Sequence, residues 1–167
     1  LWTWGDNFAS QIGCGCVGDK LVPFQLGTSI DWKTVEQGSI HTLALKNNGT
    51  LWAWGQASYG KLGNGSTTAT LTTPTQIGTA SDWKVVAAGF DHSAAIKNNG
   101  TLWTWGRNNV GQLGIGSLVD KNIPTQVGTG TDWKNVVMST SSNYTLAIKN
   151  DGTIWAWGNN GFGQLGD

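Results

Sequence analysis

A single phrase, written four times, limits what this chain can fold into more than anything else in it. "KNNGTLWAWG" at 46–55 returns as "KNNGTLWTWG" at 97–106 and as "KNDGTIWAWG" at 149–158, and the chain opens on its tail, "LWTWG". Trp2, Trp52, Trp103 and Trp155 stand 50, 51 and 52 residues apart. Asp31, Asp82 and Asp132 recur at a similar spacing, each followed by a tryptophan (Trp32, Trp83, Trp133) and a lysine (Lys33, Lys84, Lys134). Gly5, Gly55, Gly106 and Gly158 each have a second glycine eight residues on, at Gly13, Gly63, Gly114 and Gly166. Repeats of this length are supersecondary units that cannot bury their apolar faces alone, so the copies must stack.

Each unit reads as four strands. "WKTVEQG", "WKVVAAG" and "WKNVVMS" are short apolar runs stopped by Gly or Ser, and "HTLALK", "HSAAIK" and "YTLAIK" follow after a brief loop. "NNG" or "NDG" then supplies the chemistry of a tight hairpin, because Asn and Gly accept positive φ at little cost. "TLWAWG" returns as the second arm. A Gly-rich loop leads to "VPFQLG", "TPTQIG" or "IPTQVG", whose Pro23, Pro74 and Pro124 suit the first residue of an edge strand, since proline cannot donate to a ladder. The unit is a four-stranded antiparallel meander with the proline strand outermost.

Both faces of these strands are apolar. In "TLWAWG", Trp52 and Trp54 point to one side, Leu51 and Ala53 to the other. A sheet with one wet face would alternate apolar with polar residues instead. A meander greasy on both sides needs a sheet against each face, which radially repeated blades provide. The fold class is therefore all-β, built of β-propeller blades, with paired tryptophans as wedges between them. The divisions are a partial blade at 1–31, blades at 32–82 and 83–132, and a partial blade at 133–167.

Composition agrees. Gly 25, Trp 11 and a charged fraction of 12% describe a turn-rich folded protein, whereas disordered chains are poor in aromatics and rich in charge. Lys+Arg 10 balance Asp+Glu 10, and no segment gathers basic residues, so nucleic acid is not expected as a partner. No apolar run reaches membrane-helix length, and no membrane contact is expected. No signal peptide is recognisable; the chain opens at Leu1 in mid-phrase and reads as an excerpt of a longer product.

The phrases "G..HTLAL" at 38–45 and "G..HSAAI" at 89–96, the "NG.LW.WG" after each, and "WGRNNVGQLG" at 105–114 with "WGNNGFGQLG" at 157–166 resemble the repeats of the RCC1 family, the regulator of chromosome condensation, and its bacterial relatives. The resemblance spans essentially the whole chain. It implies RCC1-like propeller blades. Members of that fold include an exchange factor for a small GTPase and a secreted β-lactamase inhibitor, and what they share is binding another protein through loops at one end of the ring. Two departures stand out. The third unit carries Tyr144 where His41 and His92 stand, with an extra residue in "MSTSSNY". Family propellers also close with about seven blades, and this chain holds three repeats with incomplete terminal blades. Three arrangements would cover the end faces: a longer ring, a homodimer closing a ring of about six blades, or an arc with polar caps.

No catalytic constellation is visible, so the chain is not expected to be an enzyme, and no cofactor or metal is expected. His41 and His92 occupy equivalent slots on adjacent blades, about 10 Å apart by sheet spacing, too far to share a metal; each is expected to bond a backbone group at a turn. Asp31, Asp82 and Asp132 read as Asx-type turn caps. "GNGSTT" at 63–68 lacks the lysine of a phosphate loop. Cys14 and Cys16, in "GCGC", could close only a small ring or supply half a metal site. The later copies place Asn64 and Ser66, then Ile115 and Ser117, there, which reads as a tolerant loop.

Function is sought where the copies disagree. After "WG", the fourth residue varies: Ala9, Tyr59, Val110, Phe162. Before the second strand, Ser39 and Ile40 give way to Phe90 and Asp91, then to residues 140–143. Tyr59, Phe90, Asp91, Val110 and Phe162 are the candidate partner-binding residues of a non-catalytic protein-binding scaffold, with Tyr and Phe as anchors for an unidentified protein partner. The alternatives are a carbohydrate-binding lectin, whose indoles would stack on sugars, and GTPase exchange or enzyme inhibition by family analogy.

Overall fold

The computed structural model describes residues 1–166, in which every strand lies in one of four antiparallel sheets. Sheet I pairs β1 (Trp2–Gly5) with β2 (Lys20–Gln25). Sheet II runs β3 (Trp32–Gln37), β4 (His41–Lys46), β5 (Leu51–Gly55), β6 (Leu71–Gln76) in simple order. Sheet III repeats it as β7 (Trp83–Ala88), β8 (His92–Lys97), β9 (Leu102–Gly106), β10 (Lys121–Gln126). Sheet IV holds β11 (Trp133–Val137), β12 (Tyr144–Lys149) and β13 (Ile154–Gly158). These are β-propeller blades.

The two faces of a blade are unlike. Leu43, Leu45, Leu51 and Ala53 of sheet II meet Trp83, Val86, Ala88, Ala95 and Trp105 of sheet III in one buried cluster. Ala94, Ile96 and Leu102, from the other face of sheet III, meet Trp133, Val136 and Ala147 of sheet IV. Each blade thus offers leucine and isoleucine to its successor and tryptophan to its predecessor. Period-2 alternation makes this automatic, because neighbours in sequence go to opposite faces.

The two tryptophans of each "WxW" are not equivalent wedges. The second, Trp54 or Trp105, is wholly buried between sheets. The first stays half-buried and packs within its own blade: Trp52 meets Trp32 edge to face at 5.7 Å, and Trp103 meets Trp83 at 6.1 Å. Lys46 lies over both Trp32 and Trp52 at 4.8 and 4.7 Å, and Lys97 and Lys149 repeat this over their own pairs.

Three local expectations are corrected. Pro74 sits inside β6 rather than first in it, where the register slips between the Gly55–Leu71 and Ala53–Thr75 pairs. A bulge on an edge strand asks no donor of the proline, which is why it is tolerated there. Asp31, Asp82 and Asp132 are not turn caps: they pair with Lys46, Lys97 and Lys149 at 3.2, 3.1 and 3.2 Å. The Asx turns belong to the hairpins, where Asn48, Asn99 and Asp151 accept the N–H of Thr50, Thr101 and Thr153. Cys14 and Cys16 are not an idle loop pair: they are joined by a disulfide.

Candidate functional site

The loop after each "WG" crosses onto the next blade, and one carbonyl anchors it. Gln11 O accepts from Trp54 Nε1 at 2.8 Å and Thr42 Oγ1 at 2.9 Å. Lys61 O accepts from Trp105 Nε1 and Ser93 Oγ, and Gln112 O from Trp157 Nε1 and Thr145 Oγ1. The indole leans over the glycine two residues on. A Cβ at Gly63 would lie 2.8 Å from Trp105 Nε1, and φ there is +75°, so only glycine fits both demands. This contact is why the second glycine recurs eight residues after the first.

The histidines complete the seam. His41 Nε2 bonds Ser93 Oγ at 2.9 Å and His92 Nε2 bonds Thr145 Oγ1 at 3.0 Å, so each ring reaches a hydroxyl of the next blade. Each hydroxyl spends its single proton on a carbonyl, so the imidazole donates from Nε2. Burial, then the Lys61 ammonium and His92, push the His41 pKa down to about 3. Burial lowers that of His92 to about 4, against the opposing pull of Asp91 and a backbone hydrogen bond at Tyr144. These rings are structural.

Among the described residues, the seam between sheets II and III is the one crossed by an ion pair. Lys61 is completely buried and its Nζ bonds Asp91 Oδ1 at 2.7 Å, with Gln56 Oε1 at 3.4 Å. Arg107 approaches the second Asp91 oxygen at 3.6 Å and lays its guanidinium 4.6 Å over the Tyr59 ring. Elsewhere Gln11, Gln112 and Gln164 stand in the Lys61 slot and turn back to cap their own loops, accepting from Ala9, Val110 and Phe162 N–H. Lys61 cannot accept, so its loop winds differently: Ser58–Gly60 forms a short 3-10 turn with Tyr59 at φ +62°.

Four of the five candidate residues line the loop end of the blades. Tyr59 and Phe90 are each 40% exposed, Val110 36% and Phe162 97%. Tyr59, Val110 and Phe162 lie on "WG" loops and Phe90 on the β7–β8 loop; the Asp91 contacts to Lys61 and Arg107 bring that loop beside two of the others. Asp91 itself is buried, its carboxylate engaged within the chain. Lys61 and Arg107 were not among the candidates. Their signal was present: Lys61 stands where the copies have Gln, Arg107 where they have Asp6, Gln56 and Asn159, and Asp91 where they have Ile40 and Asn143. Three copy-specific charges, Lys61 and Asp91 in otherwise neutral slots and Arg107 in a slot that elsewhere is acidic or neutral, mark an ionic cluster in this seam. No group of His, Cys, Asp and Glu that could hold a metal occurs among the described residues.

Meanders stacked face to face, with one glycine-tryptophan seam per repeat, define a class of propeller. The regulator of chromosome condensation (RCC1) repeat model matches residues 48–96 and 99–148, and a second model of that repeat matches 32–61, 83–112 and 136–164. The chain belongs to the RCC1 repeat family. It is 35% identical over 167 residues to the ultraviolet-B receptor UVR8 of Arabidopsis thaliana, covering 98% of this chain and 38% of that protein. It is 31% identical over 166 residues to the human E3 ubiquitin-protein ligase HERC2, covering 96% of this chain and 3% of the ligase. The chain therefore spans well under half the length of either relative. Among solved structures, Prp20p of Saccharomyces cerevisiae, described with its binding to Gsp1p and histones, superposes with a TM-score of 0.82 at 26% identity, over 99% of this chain and 42% of that one. Human WBSCR16 gives 0.86 at 22% identity, over 99% and 44%. The same yeast protein, RCC1 (Prp20), has also been solved bound to the protein Kap60.

Proposed function

We propose that the chain is a non-catalytic protein-binding scaffold, and that its partner is a protein engaged by the loop end of the blades. The observation that carries this reading is that Tyr59, Phe90 and Val110, each 36–40% exposed, lie on three loops tied together by the Lys61–Asp91–Arg107 contacts, with Arg107 stacked over the Tyr59 ring. Aromatic rings held by a stiff scaffold lose little entropy on binding, which makes them good anchors. Asp91 takes a positioning role, fixing the β7–β8 loop that carries Phe90. The binding of Gsp1p, histones and Kap60 by one relative of this fold, yeast Prp20, supports a protein partner. The lectin reading has less support, because the indole pairs Trp32–Trp52 and Trp83–Trp103 are already engaged with each other and with a lysine.

The test is affinity capture with the wild-type chain, Tyr59→Ala, Phe90→Ala and Ile30→Ala, the last at the opposite end of the blade and 98% exposed. A partner retained by wild type and Ile30→Ala and lost, by about tenfold or more, from the two ring variants is expected. Equal retention by all four would end the assignment of this surface.

We also propose that the outer faces of sheets I and IV take up a further blade, from a second copy of this chain or from additional polypeptide. Trp4 is 62% exposed where Trp54 and Trp105 are 0%, and Ile154 is 71% exposed where Leu51 and Leu102 are 0%.

A further inference from the structure

Among the described residues, the Cys14–Cys16 disulfide is a chemically reactive feature that neither the seam nor the loop surface uses. It closes a ring across a single residue, Gly15, which adopts φ +64°. Disulfides stabilise chiefly by shortening the loops of the unfolded chain, an effect smallest when the bonded residues are nearly adjacent. Structural duty is further excluded by the other copies. Gly15 N–H bonds Thr72 O on the next blade at 2.8 Å, and Gly65 N–H bonds Asn122 O in the same way at 2.9 Å, although Asn64 and Ser66 flank Gly65. Asn7 holds the Cys16 and Gly18 carbonyls at 3.0 and 3.3 Å, and Asn108 likewise holds those of Ser117 and Val119. The loop keeps its shape where no sulfur is present.

We propose that Cys14–Cys16 is a thiol–disulfide exchange site whose substrate is a low-molecular-weight thiol of the glutathione class. The two sulfurs are not equivalent. Cys14 Sγ receives the Cys16 N–H at 3.3 Å and lies 3.6 Å from the Asn7 amide nitrogen. Both donors favour negative charge on Cys14, which makes it the leaving group. Both cysteines are part-exposed, and Gly15 and Val17 beside Cys16 are open to solvent. An incoming thiolate therefore attacks Cys16 Sγ; the new S–S bond forms there as the Cys14–Cys16 bond breaks, and its electron pair leaves on Cys14 as thiolate. A second thiolate attacks the sulfur of the first thiol, releasing Cys16. Two thiols are oxidised to one disulfide, and the protein gains two electrons and, on protonation, two protons.

The experiment treats the native chain with reduced glutathione, quenches with acid, alkylates and maps the adducts by mass spectrometry. An early glutathione adduct on Cys16 with Cys14 alkylated is expected, followed by two free thiols, and re-formation of the bond with glutathione disulfide. Throughout, the circular dichroism spectrum and melting temperature should stay those of the oxidised chain, and the Cys14→Ser/Cys16→Ser double variant should fold with a melting temperature within about 2 °C of wild type, since the loop needs no bond. A bond that resists excess glutathione and dithiothreitol under native conditions overturns the proposal. So does reduction that proceeds only with unfolding, and an adduct found first on Cys14 overturns the direction of attack.

Discussion

Lys61 keeps a full positive charge out of water, and Asp91 is what makes that tolerable. Removing one partner of a buried ion pair leaves the other uncompensated, which costs about 3–5 kcal/mol. Asp91→Ala should lower stability by that amount, read from the midpoint of chemical denaturation. The Lys61→Gln/Asp91→Asn double variant writes into this seam the residues that the next seam carries as Gln112 and Asn143. It should recover most of the loss. The histidines give a second prediction. Their folded pKa values, about 3 and about 4, lie below the unfolded value of 6.5, so the unfolded chain takes up protons first as the pH falls. Their contribution is complete above about 6.5 and is lost by about 1.4 kcal/mol per pH unit for each ring, down to the folded values. Melting temperatures between pH 7 and pH 5 should fall in wild type and fall much less in His41→Gln/His92→Gln, a variant that keeps Glu36, whose pKa burial raises, as a common background. Equal slopes would acquit the histidines.

A blade is joined to the next by a short set of contacts, and the glycine under the indole is the most demanding. Gly63→Ala places a methyl against Trp105 at a positive φ and should cost about 1–3 kcal/mol. Gly65→Ala is the control: its φ is +85°, but nothing lies within 4 Å of the added carbon. It should cost about 1 kcal/mol from backbone strain alone, and a red-shifted tryptophan emission should accompany only the first variant. The meander itself was legible in the sequence. Strand order, hairpins and the two-faced alternation follow from period-2 patterning and Asn-Gly turns, which act locally. The seam was not: a recurring Thr42, Ser93 and Thr145 after the histidine slot acquires meaning only once Gln11, Lys61 and Gln112 carbonyls are seen across the gap. The same holds for the site. Tyr59, Phe90, Val110 and Phe162 were found as positions where copies differ, while Asp91, found in the same way, is buried.

At the scale of the molecule, the two outer faces dominate. Trp2, Trp4 and Trp155 are at least half exposed where the matching interior indoles are half-buried or fully buried. Such large apolar patches usually mark association surfaces. Sedimentation of the 17.7 kDa chain should show a concentration-dependent rise toward twice that mass. Acrylamide quenching of Trp2, Trp4 and Trp155 should weaken in step with it. A monomer at every concentration would remove the second-copy form of the proposal.

By itself the sequence determined how many copies of the repeat there are, which strands each contains, and that both faces of those strands are apolar, because these depend on spacing and alternation along one chain. Only the tertiary structure decided which tryptophan is the wedge, that Lys61 is neutralised by Asp91 from the next blade, and that two cysteines in a glycine loop are bonded. Those outcomes hang on distances between segments some thirty to fifty residues apart, or on one loop's closure, and no local periodicity encodes them.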